Sequence, residues 1–187
     1  KLQHAGEWER SGEILADAAR SVHRAGADVI VLCTNTMHKV APQIEAAVDV
    51  PMLHIADATA ERVRAAGIER VGLLGTRFTM EEDFYRGRLE SRHGLEVITP
   101  PSDQRALVHG VIYGELCLGR VLDDSRRGFQ RVVADLVARG AQGVILGCTE
   151  IGLLLGPGDA PVPLFDTAAI HAEAAAEFAL DEDSRRG

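Results

Sequence analysis

The alternation of apolar and polar positions divides this chain into short β-branched runs separated by longer stretches of helical periodicity. From Glu7 to Arg24, apolar residues such as Ile14, Leu15, Ala18, Ala19 and Val22 recur at helical spacing, and Gly26 follows as a stop. A strand over 29–33 comes next, then a helical pattern from Thr36 to Val48 in which Pro42 demands a bend or a fresh start. A strand follows over Val50-Pro51-Met52-Leu53-His54-Ile55, with proline at a position that a strand tolerates. The same reading predicts a helix from Asp57 to Ala66 closed by Gly67, a strand over 71–75, a polar loop from Thr76 to Thr79, and a helix over 80–92 stopped by Gly94. Leu95 to Ile98 reads as a strand, Pro100-Pro101 as a break, and 103–118 and 123–139 as helices. Strands over 143–147 and 162–165 and a closing helix over 167–180 complete the order.

Strands alternating with helices imply parallel sheets covered by helices on both faces, so the fold class is α/β. The order contains a pseudo-repeat. An Ala-rich helix, a buried strand and a Cys-Thr step occur at Cys33-Thr34 and again at Cys148-Thr149, and Val50-Pro51 and Val162-Pro163 then open the next strand. Duplicated halves of this kind place a ligand in the cleft between them. The expectation is two pseudo-symmetric, Rossmann-like parallel-sheet domains: residues 1–55 with 167–187 forming the first, and 56–166 the second. Because Lys1-Leu2-Gln3 leads straight into a helix whereas such folds open on a strand, a preceding strand and helix are also expected. The segment Asp181-Glu182-Asp183-Ser184-Arg185-Arg186 reads as a solvated end.

Composition narrows the ligand class. A formal net charge of −8, with no run of Lys or Arg, argues against nucleic acid or an anionic membrane surface as partner and leaves small molecules. No apolar run approaches the ~18 residues that a membrane span needs. Three cysteines, an odd number with no CxxC pair, fit reduced thiols and a cytoplasmic location. His4, His23, His54, His93 and His109 show no metal spacing, Cys33 with His38 does not make a zinc site, and Gly72 and Gly75 do not make a dinucleotide fingerprint.

The chemistry concentrates in the loops after 29–33 and 143–147. Residues just past the carboxyl ends of parallel strands are where ligands bind in open sheets. A thiol there, at the start of a helix, is expected to be acidified by the helix dipole and free N–H groups. Asn35, Thr36 and Thr149 supply donors for a carboxylate, Thr76 can add another, and Thr79 reads as a helix cap. One acid/base group on each face of an alpha carbon fits two-base racemisation, which needs neither a metal nor a carbonyl cofactor. Lysine is scarce: of Lys1 and Lys39, Lys39 lies one helical turn past the first loop and reads as a solvated side chain, so a pyridoxal Schiff base has little to use. Glu150 can hold an ammonium or assist Cys148, and His171 can serve Cys148 as proton partner or simply cap and pack.

Thr34-Asn35-Thr36-Met37-His38-Lys39, Gly147-Cys148-Thr149-Glu150 and Phe165-Asp166-Thr167-Ala168-Ala169-Ile170-His171-Ala172-Glu173 together resemble the signatures of the pyridoxal-phosphate-independent aspartate/glutamate racemase family, over about Gly6 to Phe178. The resemblance implies two similar α/β domains with the active site between them, a homodimer, no cofactor and a cysteine from each domain. The usual first motif is Cys-Asn-Thr, so alignment through Asn35-Thr36 puts Thr34 at the first catalytic position, opposite Cys148. Alignment by Cys-Thr would choose Cys33 instead, and only one of these neighbours can face the cleft. Substrate-binding positions carried over are Asn35, Thr36, Met37, Thr76, Cys117, Thr149 and Glu150. Aspartate-using relatives tend to carry a lysine where this chain has Cys117, which opens the specificity to neutral amino acids. A related decarboxylase or cis-trans isomerase, and a non-catalytic amino-acid-binding protein, are the competing expectations.

Overall fold

The computed structural model describes residues 2–181, so Lys1 and most of the expected solvated end, Glu182 to Arg186, lie outside the described residues. The chain opens with α1 (Leu2–Ala5) and α2 (Trp8–Arg24), whose inward face carries the small side chains Ser11, Gly12, Ala16 and Ala19. Strand β1 (Ile30–Val31) pairs in parallel with β2 (Met52–Leu53), and between them lie a 3₁₀ turn, Thr36–Val40, and α3 (Ala41–Glu45). Pro42 therefore starts a helix afresh at its first turn, where its missing N–H costs nothing.

The larger sheet has four parallel strands in the order β4 (Glu96–Ile98), β3 (Arg70–Gly75), β5 (Gly143–Gly147) and β6 (Leu164–Asp166). Between β2 and β3 runs α4 (Ile55–Ala65), and between β3 and β4 run α5 (Arg77–Glu81) and α6 (Asp83–His93). Next come α7 (Ser102–Gly114), a 3₁₀ turn at Leu116–Leu118, and α8 (Asp123–Ala138), with α9 (Thr167–Leu180) at the end. Gly67 and Gly94, at φ of 72° and 67°, stop α4 and α6 in the left-handed conformation that only glycine adopts without strain.

Period-two alternation along β3 and β5 sorts the core into two layers. Val71, Leu73 and Ile145 face Ile55, Val63, Tyr85, Leu89 and Ile170 from α4, α6 and α9. Leu74, Val144 and Leu146 face Val108, Ile112, Phe129, Val133 and Leu136 from α7 and α8. A smaller cluster of Ala19, Ile30, Val40 and Ile44 covers the β1–β2 pair.

The predicted polar loop over 76–79 is instead the start of a helix. Thr76, not Thr79, is the N-cap, its hydroxyl accepting from the Thr79 amide at 3.4 Å. Thr79 is fully buried because its methyl group fills the notch left by two facing glycines, Gly75 and Gly147, at the ends of β3 and β5. The helix expected over 80–92 is accordingly broken at Glu82, whose extended backbone separates α5 from α6.

The pseudo-repeat is present in the backbone. Ile30 N donates to Pro51 O at 2.9 Å, and Val144 N donates to Pro163 O at 2.9 Å. Counting forward from these equivalent amides sets Thr34 opposite Cys148 and Cys33 opposite Gly147. The helices that follow start alike: His54 caps α4 by accepting from Ala56 N, and Asp166 caps α9 by accepting from Ala168 N.

Three imidazoles, His38, His54 and His171, are buried beside β2. Burial lowers the pKa of each, that of His38 to about 4, with His171 and Arg88 adding to the effect and the Thr34 carbonyl opposing it. Neutral in the fold and protonated when released below pH ~6.5, such groups stabilise the fold above that pH and withdraw the contribution as pH falls toward about 4.

Two outcomes follow from this packing. Gly147→Ala sets a Cβ 2.8 Å from the Leu74 carbonyl and is expected to cost ~1–3 kcal/mol in urea unfolding. Between pH 6.5 and 4 the unfolding free energy drops, about 3 kcal/mol of it through His38. His38→Asn, measured over the same range, flattens that slope.

Candidate active site

The β1, β3 and β5 strands end on one edge, and a cavity of about 130 Å³ opens there. Its wall takes Thr34, Asn35 and Thr36 from the loop after β1, Thr76 from the turn after β3, and Cys148, Thr149 and Glu150 from the loop after β5. Cys117, from the 3₁₀ turn between α7 and α8, also lines it. A larger hollow, about 730 Å³, lies at the amino ends of β3, β4 and β5. There Arg70 is paired with Glu96 at 2.5 Å and Arg64 donates to the His93 carbonyl at 2.5 Å, and no thiol lines it. The smaller cavity holds the groups that can do chemistry, at the strand ends where open sheets bind ligands.

Glu150 organises one wall. Its carboxylate accepts from the Cys148 thiol at 2.9 Å, from the Thr149 hydroxyl at 2.8 Å and from the Cys117 thiol at 3.8 Å. Burial would raise the Glu150 carboxyl, but these donors and its own amide outweigh it and hold the group below the usual carboxylate range. The thiol responds in the opposite direction. Burial of Cys148, 8 % exposed, pushes it well above an ordinary thiol, and the Glu150 carboxylate adds to the shift. The Cys117 thiol is raised as well, again chiefly by burial and then by Glu150.

The expected helix-start acidification is therefore absent from this site. β5 runs into a bend and a single 3₁₀ turn, Ile151–Leu153, rather than a helix. One such turn sums too few peptide dipoles to offset desolvation and a neighbouring carboxylate.

On the opposite wall, Thr34 lines the cavity while Cys33 is exposed, its Sγ turned back to the Val31 carbonyl at 3.7 Å. Thr36 and Thr76 join the two sheets through a hydroxyl–hydroxyl bond of 2.9 Å. Asn35 is anchored to the larger sheet. The Thr167 hydroxyl has one proton and gives it to the Leu146 carbonyl at 2.8 Å, so it must accept from Asn35 Nδ2 at 2.9 Å. One of the two amide N–H groups is thus engaged, and Asn35 Oδ1, buried and without a hydrogen-bond partner among the described residues, is open as an acceptor.

Met37 is not on the cavity wall. The first loop continues as a 3₁₀ turn with three residues per turn, so consecutive side chains diverge: Thr36 faces the cavity and Met37 turns toward α1 and α2. Its Sδ accepts from Gln3 Nε2 at 2.8 Å. His171 also lies off the wall, donating through Nε2 to the Leu53 carbonyl at 2.8 Å, which is its packing alternative. Lys39 is not freely solvated: its Nζ lies 2.5 Å from Glu82 and 4.1 Å from the Trp8 ring centroid.

Three wall residues were missed in the sequence, namely Gln3, Ile112 and Tyr113. Tyr113 donates to Gln3 Oε1 at 3.1 Å. Tyr113 sits one helical turn before Cys117, a spacing that could have flagged it, whereas Gln3 carries no local signal. No Lys, Arg or His lines the cavity among the described residues, and none of their His, Cys, Asp and Glu side chains form a group able to hold a metal. No helix among them is long and apolar enough to cross a membrane.

Known proteins are similar to this chain in sequence and fold. A structure from Yersinia pestis, provisionally named an Asp/Glu racemase, is 57 % identical, with a TM-score of 0.90 over 96 % of this chain and 78 % of that one. An aspartate racemase homologue from Pyrococcus horikoshii is 37 % identical, with a TM-score of 0.84 over 96 % of this chain and 79 % of that one. The broad specificity amino-acid racemase RacX of Bacillus subtilis is 26 % identical over 159 residues, 85 % of this chain and 68 % of RacX. With the family profile for Asp/Glu/Hydantoin racemase matching residues 2–175, the chain belongs to that racemase family.

Proposed function

We propose that this protein is a cofactor-independent amino-acid racemase in which Cys148 and Thr34 are the acid/base groups on opposite faces of the substrate alpha carbon. The observation that carries the reading is their placement: the two residues hold equivalent positions in the pseudo-repeat and both line the one cavity. The two lobes proposed are residues 1–55 with 167–187, and 56–166. Helix α9 touches both, through the His171–Leu53 bond and through Ile170 beside Val71 and Ile145.

The substrate ammonium is drawn to Glu150 and to the free acceptor Asn35 Oδ1. A cation there favours the thiolate, because it offsets the carboxylate that holds the Cys148 proton in place. Cys148, its proton released to water, takes the alpha proton from its face while Thr34 returns a proton from the other, and proton exchange with water then resets both groups. Thr36, Thr76 and Thr149 supply hydroxyl donors for the substrate carboxylate. A threonine hydroxyl is a far poorer base than a thiolate, so turnover is biased toward the direction in which Cys148 is the base.

Among the described residues the cavity wall offers Glu150 and no cation, which supports substrates with neutral side chains over aspartate and glutamate. Cys117 and Tyr113, on the same wall, are the residues proposed to meet such a side chain. The proposed location is cytoplasmic, which the three free thiols fit. The homodimer implied by the family resemblance belongs to the same proposal.

Proton NMR in deuterium oxide tests this with a panel of L- and D-amino acids. Exchange at the alpha carbon of a neutral amino acid is expected, and Cys148→Ala should lower it by ~10²–10⁴-fold. Thr34→Cys should quicken the slow direction. Absence of exchange with every amino acid on the panel would overturn the reading.

A further inference from the structure

His38 stands where the first loop meets α4, and its imidazole is 2 % exposed. Nε2 lies 3.2 Å from the backbone amide of Ile55, and Nδ1 lies 2.6 Å from the carbonyl oxygen of Thr34. An amide can only donate and a carbonyl only accept. Nε2 is therefore the bare nitrogen, and Nδ1 carries the proton that goes to Thr34. One ring thus ties the peptide that follows the Thr34 side chain to the first residue of α4, and Ile55 is itself fully buried in the core.

The ring's own surroundings leave it no other task. His54 packs on it with centroids 4.3 Å apart and spends its Nδ1 accepting from Ala56 N. His171 stands 6.1 Å away and is engaged with the Leu53 carbonyl. Asp57 and Arg88, which act on His38 at longer range, bind each other at 2.6 Å. His38 is absent from the cavity wall, so it does not meet the substrate. What it touches is the carbonyl of the residue whose side chain does.

We propose that His38 is a positioning residue, its neutral Nδ1–H tautomer clamping the Thr34 carbonyl to the start of α4 so that Thr34, and not Cys33, is presented to the alpha carbon. This rests on the racemase reading for its consequence and on geometry alone for the clamp. The Thr34 amide donates to the Leu32 carbonyl at 2.8 Å, closing a three-residue turn at Cys33, and the Thr34 carbonyl is held by His38, so both backbone groups of Thr34 are fixed and with them the side to which its side chain points. Releasing the carbonyl lets the loop rotate, and a displacement of an ångström at a reacting group is enough to lower a rate on the order of 10²-fold.

Two measurements test the assignment. The first follows exchange on each face separately, starting from each enantiomer of a neutral amino acid, in His38→Ala and His38→Asn. His38→Ala is expected to lose Thr34-face exchange on the order of 10²-fold while keeping Cys148-face exchange and KM. His38→Asn, whose amide nitrogen reaches the Nδ1 position, should recover a substantial part of the loss. Equal losses on both faces, or no recovery, would overturn the proposal. The second, ¹⁵N NMR of the imidazoles in the unaltered protein, needs no substrate and no variant that folds. It should show His38 protonated at Nδ1 and bare at Nε2 at neutral pH, and the opposite tautomer or a charged ring overturns the clamp. If the unaltered protein exchanges no amino acid, the racemase reading fails, and the tautomer still decides the clamp.

Discussion

The pairing of β3 with β5, in a register that ends with Gly75 facing Gly147, is the constraint on which the site depends. With no side chain at either position, the Thr79 methyl drops between the strand ends, and α5 starts directly on the sheet edge. That seat puts the capping hydroxyl of Thr76 within 2.9 Å of Thr36, joining the loop after β1 to the larger sheet. Cys148 follows Gly147 immediately, so its place over the cavity is set by the same pair. A Cβ on either glycine would meet backbone carbonyl oxygen, which cannot move aside as a flexible side chain can.

Around this frame the cavity is organised by an anion. In racemisation the alpha proton is weakly acidic, and the enzyme must hold a base and an acid across one carbon without letting either be quenched. In the proposed mechanism Glu150 holds the Cys148 proton at rest, and a substrate ammonium that shares its charge frees the thiol to ionise. The raised thiol is thus a resting state that discourages adventitious reaction, since the thiolate is the reactive form. The Thr34 wall has no such partner, and its backbone, not its hydroxyl, is what His38 holds.

Much of this was legible in the residues. The β-branched run at 143–147 is β5, with every residue buried, and the closing helix begins at Thr167 as the pattern indicates. The run at 29–33, by contrast, is a strand over Ile30–Val31 only, because the chain turns where Thr34 N donates to Leu32 O at 2.8 Å. The Val-Pro steps marked the repeat that the Pro51 and Pro163 bonds now make explicit. The short-range chemistry was harder to read. Thr79 looks like a cap in sequence because burial of a threonine methyl between two distant glycines has no local signal. The Cys-Thr step is shared by both loops, yet the repeat is offset by one residue, and only the pairing to proline carbonyls shows that Thr34 matches Cys148. Met37 was grouped with its motif neighbours because a 3₁₀ turn and an α-helix are indistinguishable over a few residues. Gln3 reaches the wall across more than a hundred positions of sequence to meet Tyr113, a contact no periodicity encodes.

The central claim, that a thiol and a hydroxyl share one alpha carbon unequally, is tested most directly in a single turnover. Loss of the alpha deuteron would be followed from the L and from the D form of one deuterated neutral amino acid, each mixed with excess enzyme. The account predicts rapid loss from the enantiomer whose Cα–H bond faces Cys148 and much slower loss from the other. Equal rates from the two enantiomers would contradict it.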